Sequence, residues 1–131
     1  MADRSGDWLR QAQRNMEQAV DSAAAGRHEW ACFASQQAAE MAVKAVHLSR
    51  GQEAWGHVVR VLLEELPTSV KVPPSLLEYA RTLDVHYVPT RYPNGHAAGA
   101  PGEHYGPLQS EESIRHARQI VEFCRSQMAG S

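Results

Sequence analysis

At 131 residues the chain has the length of one domain and enough material to bury a core without disulfide or metal staples. Its formal net charge of -2 excludes a global basic field for nucleic acid, so any such site must be a local patch. No apolar run approaches the roughly 20 residues of a membrane span, and residues 1–7 hold no apolar signal core, which points to a cytoplasmic protein.

Trp8, Leu9, Ala12, Met16, Ala19, Val20 and Ala23 recur at helical spacing. They predict a first helix over residues 7–25, with Asp7 as N-cap and Gly26 as the left-handed residue that ends it. A second helix over residues 27–50 carries Trp30, Phe33, Ala34, Gln37, Ala38, Met41, Ala45 and Leu48 on one face, with Gly51 behind it. Glu40 and Lys44 stand at i, i+4 in the favourable order and read as a solvated face. Gln37 falls on the apolar stripe, where its amide needs partners from a helix–helix or subunit interface. Cys32, in this helix, and Cys124, in the last, read as small buried hydrophobes.

A short third helix is predicted over residues 55–66, apolar at Val58, Val59, Leu62, Leu63 and Leu66 and stopped by Pro67. His57 in its first turn reads as a packed histidine hydrogen-bonded across helices. Pro74 suits the first turn of a fourth helix, which runs through Leu76, Leu77, Ala80 and Leu83 to Tyr87 and halts near Pro89. Residues 89–109 then form a loop with four prolines and four glycines. Ser110 is the expected cap of a fifth helix whose buried side is Ile114, Ala117, Ile120, Val121, Cys124 and Met128. With no strand-like alternation and no repeat, the pattern is all-α. It describes an up-and-down bundle of four to five helices, one domain over residues 1–131, with a long loop between the last two long helices.

Unstructured loops of that length in compact domains tend to be functional. Within it, Arg91 and His96 form an Arg-x4-His spacing. Histidine moves protons near neutral pH, and arginine holds a phosphate and offsets charge in a transition state. About two matches to an Arg-x(4–6)-His window are expected by chance in this composition, and three occur: Arg50/His57, Arg81/His86 and Arg91/His96. Arg81 and His86 lie about 140° apart around a helix and share no face, whereas Arg50 and His57 straddle a turn. Two readings of Arg91 stand open: an anion contact, or a salt bridge to Asp84 or Glu40. His96 follows the Asn94-Gly95 turn signal, which would leave it exposed. Tyr92 and Tyr105 are candidates to stack on bases, while Tyr87 falls on the apolar helical face. Lys44 would join Arg91 in a basic patch if the second helix and the loop meet. His86, His96 and His104 are too dispersed to read as a metal site, and no cofactor is expected.

Three stretches resemble the HEPN domain family (higher eukaryotes and prokaryotes nucleotide-binding). They are Phe33-Ala34-Ser35-Gln36-Gln37-Ala38-Ala39-Glu40-Met41-Ala42-Val43-Lys44-Ala45, Gly56-His57-Val58-Val59-Arg60-Val61-Leu62-Leu63 and Leu83-Asp84-Val85-His86-Tyr87-Val88-Pro89-Thr90-Arg91-Tyr92-Pro93. The resemblance implies a helical bundle that pairs as a homodimer. It also implies work with a minimal nucleotidyltransferase partner, often as the toxin of a toxin–antitoxin pair. Active members of the family are metal-independent endoribonucleases with an Arg-x(4–6)-His motif, here matched by Arg91 and His96; others only bind nucleotide or polyanion. On that basis Arg91, Tyr92, Lys44 and Tyr105 are the candidate nucleotide- or RNA-binding residues. The ribonuclease-type members commonly place a polar residue straight after the arginine, and some place a tyrosine two positions after the histidine. Here Tyr92 and Ala98 occupy those positions. A non-catalytic dimerisation module is the remaining reading.

Overall fold

The computed structural model describes residues 3–129. Five helices follow one another: α1 (Ser5–Ala24), α2 (His28–Ser49), α3 (Val59–Glu64), α4 (Pro74–Asp84) and α5 (Pro107–Ala129). Among the described residues there is no strand. The fold class is the all-α bundle that the apolar periodicity predicts.

The middle of the bundle is α2. Its alanines at 31, 34, 38, 39, 42 and 45 are all buried, and such small side chains let α1 and α5 both pack closely against it, and against each other. The shorter α3 and α4 pack on each other and on α2, with α4 also against α5. Val43, Val46, Leu62, Leu63, Leu83, Ile120 and Cys124 fill the shared core. Ala19, Ala34 and Ile114 close a smaller cluster between α1, α2 and α5. Gly26 lies at φ +79 and ends α1 where the sequence places its stop.

Several boundaries differ from the sequence expectation, each for a local reason. Asp7 does not cap α1: Arg4 holds the cap position, and Asp7 sits in the first turn with its carboxylate on the Arg4 and Arg10 guanidinia. α3 begins at Val59, because Gly56 takes φ +96, a left-handed conformation that no helix continues through. The start of α3 is capped from a distance. The Asp84 carboxylate accepts the Val59 N–H at 2.7 Å and the Arg60 N–H at 3.0 Å. α4 ends at Asp84, and residues 85–91 continue as overlapping turns, tied by the Thr90 hydroxyl donating to the His86 carbonyl at 2.6 Å.

The fifth helix starts three residues earlier than Ser110. Pro107 occupies its first position, and the Gln109 side chain reaches back to accept the Gly106 N–H at 2.7 Å, half of a capping box. Ser110 is instead buried, with its hydroxyl 2.8 Å from Nδ1 of His28.

Candidate functional site

The loop between α4 and α5 is folded on itself rather than loose. Short 3-10 turns form at Pro93–Gly95 and Pro101–Glu103. Gly95 lies so close to Pro89 that an added Cβ would stand 2.9 Å from the Pro89 Cα, so only glycine fits there without a shift. The next residue completes the closure: His96 Nε2 donates to the Pro89 carbonyl at 2.6 Å.

Arg91 sits at the start of this closure. Its guanidinium lies 4.4 Å from the Phe33 ring, 4.6 Å from Tyr87 and 5.2 Å from Tyr92. Nε and Nη2 both donate to the Tyr87 carbonyl, at 2.9 and 2.6 Å. Neither Asp84 nor Glu40 pairs with it, so the salt-bridge alternative is replaced by an aromatic cage. Asp84 is committed to the α3 backbone, and burial pushes its carboxyl above the ordinary carboxylate value, opposed by the Arg60 and Val59 N–H groups. Glu40 is committed elsewhere. Three rings holding one cation stabilise it electrostatically while leaving its charge uncancelled.

His96 has a companion that the sequence spacing does not pair with it. His104 stacks on it with ring centroids 4.2 Å apart and an interplanar angle of 2°, and His104 Nε2 donates to the Ala98 carbonyl at 2.6 Å. Both rings thus spend Nε2 on backbone carbonyls. Tyr105 lies edge-on to His96 and to His86, its hydroxyl 3.4 Å from the His86 Nδ1. Burial lowers the His86 pKa and raises that of Tyr105.

Lys44 does not join this cluster. Its ammonium lies 3.1 Å from Glu40 and 5.9 Å from the Trp8 ring centroid, with the side chain 11% exposed. Glu40 is not on a solvated face; at 2% exposure it is a buried hub. It receives Lys44, both carboxylate oxygens stand 3.2 Å from His57 Nδ1, and the amides of Gln36 and Gln37 approach at 3.4 and 3.2 Å. Gln36, rather than Gln37, is the fully buried amide, and it also donates to the His57 carbonyl at 2.9 Å. His57 stacks on Tyr87 at 4.6 Å. The hub therefore supports the ring that cages Arg91, through one histidine. Tyr87 itself is half-buried rather than a core residue. Both cysteines are buried, and burial pushes their thiols up, which makes them poor nucleophiles.

The HEPN domain profile matches residues 5–127. The chain belongs to the HEPN family. Its backbone is similar to the crystal structure of TT1696 from Thermus thermophilus, with 48% identity, TM-score 0.95, and 96% of this chain and 99% of that one covered. An archaeal HEPN homologue, ST0689, is 37% identical with TM-score 0.82 over 97% and 99% of the two chains. A HEPN domain protein from Thermotoga maritima is 33% identical with TM-score 0.76 over 94% and 98%. No protein of curated function matches the chain.

In this HEPN chain the Arg-x4-His residues are anchored on nearby backbone, Arg91 donating to the Tyr87 carbonyl and His96 to that of Pro89. Tyr92 joins them at 49% exposure, and Tyr105 reaches them through His96. Phe33 is the additional residue around Arg91, with Trp30 in edge contact with it at 6.2 Å. Their i, i+3 spacing on α2 marks them as one face, but nothing local links that face to the loop. No described helix is long and apolar enough to cross a membrane.

Proposed function

We propose that this HEPN chain binds RNA or nucleotide through the Arg91 cluster, pairs as a homodimer, and acts with a minimal nucleotidyltransferase in a toxin–antitoxin-type system. The observation that carries the reading is the Arg91 cage: a guanidinium fixed by three rings and a carbonyl, with no carboxylate paired to it among the described residues. Such a cation keeps its attraction for phosphate, and the exposed Tyr92 ring beside it offers a stacking face for a base. Exposed Val58, Val61, Val85 and Val88 give a second copy an apolar surface near the Asp84 cap.

The ribonuclease reading stands second, favoured by the anchorage of Arg91 and His96 on nearby backbone. Against it, His96 already spends Nε2 on the Pro89 carbonyl. The two are separated by incubating end-labelled RNA with purified protein in EDTA, with Arg91→Ala and His96→Ala alongside. The binding reading expects retention of RNA without cleavage, lost in Arg91→Ala. Cleavage that leaves a cyclic phosphate and disappears in both variants overturns it in favour of catalysis. Co-purification with a nucleotidyltransferase expressed from the same transcript tests the partnership.

A further inference from the structure

The caged Arg91 has a neighbour that the Arg-x4-His spacing does not include. Tyr87 is flanked by two groups: the Arg91 guanidinium, which lies against both Tyr87 and Phe33, and the His57 imidazole, stacked on Tyr87 with an interplanar angle of 17°. Each stands 4.6 Å from the Tyr87 ring centre, so the two lie within twice that distance of each other. His57 is held from beneath. Its Nδ1 faces both carboxylate oxygens of the buried Glu40, and its carbonyl accepts the Gln36 amide. The opposite edge of this exposed side chain, which carries Nε2, is the one turned to solvent.

Three donors around Tyr87 are left unspent. Among the described residues Arg91 Nη1, the Tyr87 hydroxyl and His57 Nε2 have no hydrogen-bond partner, and the first two also reach solvent. The surrounding charges do not absorb a proton placed on His57. From α2, Glu40 is already matched by Lys44 at 3.1 Å. At the end of α4, Asp84 is bound to the Val59 and Arg60 N–H groups, and Arg60 of α3 pairs with Glu64. The turn after α4 contributes Tyr87 and Arg91. A protonated His57 therefore adds one net positive charge beside Arg91. His96, by contrast, spends its Nε2 on the Pro89 carbonyl.

We propose that His57 is a specificity-determining residue of the Arg91 site, and that the site takes a terminal phosphate monoester in preference to an internal phosphodiester. The inference rests on the binding reading above and deepens it. A phosphate monoester carries a charge of about −1.5 to −2 at pH 7 and three terminal oxygens, whereas a diester carries a single charge on two. Charge-assisted hydrogen bonds of about 2.8 Å, from Arg91 on one side and the His57 imidazolium on the other, hold a phosphate at the edge of Tyr87. The Tyr87 hydroxyl serves the third oxygen. A diester leaves one of these donors without an oxygen and lacks the second charge that draws a proton onto a histidine near neutral pH. Monoester binding is thus linked to proton uptake by His57, and Glu40, which touches no ligand, is the positioning residue that aims the ring.

The test is fluorescence anisotropy at pH 7 with an internally labelled six-nucleotide RNA carrying a 5′-phosphate, a 3′-phosphate or hydroxyls at both ends, on wild type, His57→Gln and Arg91→Ala. Wild type binds a phosphorylated form about ten-fold tighter than the unphosphorylated one, and the form that wins shows which end the site takes. His57→Gln loses affinity mainly for that form, which brings the preference below about three-fold. Calorimetry in two buffers of different ionisation enthalpy detects proton uptake with the phosphorylated RNA in wild type and none in His57→Gln. In wild type alone, whatever the variants do to folding, the His57 ring signals in NMR move with the phosphorylated RNA and not with the unphosphorylated one. If the three RNAs bind equally and Arg91→Ala abolishes binding, the monoester inference falls and the parent reading stands. If the preference and the proton uptake survive in His57→Gln, or the ring signals stay still, His57 only packs on Tyr87 and the inference is overturned. If wild type binds none of the three, both fall.

Discussion

Glu40→Ala removes the carboxylate that receives Lys44, His57 and two glutamine amides at once. The consequence is set by what remains. Lys44, 11% exposed and 3.1 Å from Glu40, loses its only anionic partner among the described residues. Removing one member of a fully buried pair costs about 3–5 kcal/mol. The ammonium keeps some access to water, so the lower end applies, about 3 kcal/mol. The His57 contribution is small, because that side chain is 55% exposed and a solvated pair is worth under about 1 kcal/mol. Urea unfolding followed by circular dichroism measures the sum. At a slope of about 1.5 kcal/mol/M, the midpoint should fall by about 2 M. Glu40→Gln keeps an acceptor oxygen and should lose roughly half as much. A loss under about 1 kcal/mol for Glu40→Ala, the scale of an exposed pair, would refute the account of Glu40 as a buried hub.

Burial lowers the pKa of both His86 and His116 below the ordinary 6.5. Their neutral forms therefore favour the folded state. The stability they contribute is fully present above pH 6.5 and is lost as pH falls through their depressed folded values. Thermal unfolding should show a lower Tm at pH 5 than at pH 7, with a shallower slope in His86→Gln; an unchanged slope in that variant would remove His86 from the explanation. Gly95→Ala places a methyl 2.9 Å from the Pro89 Cα and should force the loop open. The NMR shifts of His96 and His104 should move together, and Arg91-dependent RNA affinity should drop several-fold with little change in Tm.

The long helices were legible because amphipathic runs of this length leave few alternatives, and the stop at Gly26 was legible because left-handed glycine ends helices. The start of α3 was not, since the apolar spacing of residues 55–66 cannot reveal that Gly56 turns left-handed. The start of α5 was masked by loop-like composition, although Pro107 and Gln109 together carry a cap signature. Glu40 misled for a different reason. An i, i+4 pair reads as surface unless it is known that α2 lies at the centre, and centrality is a tertiary fact. For the site, Arg91, Tyr92 and His96 stood out by residue type and spacing. Phe33 and His104 did not, because their roles depend on how the loop lies against α2 and on its own closure.

The cap that Asp84 places on α3 has a consequence for how the molecule comes apart. Six residues are far too few for a helix to nucleate and persist alone. α3 therefore depends on α4: when the Asp84 carboxylate withdraws, the Val59 and Arg60 amides lose their acceptor, and Leu62 and Leu63 lose the helix that presents them to the core. The two helices form one cooperative opening unit, and amide hydrogen exchange across α3 and α4 should proceed at a common rate, slower than in the 50–58 connector and faster than in the middle of α2.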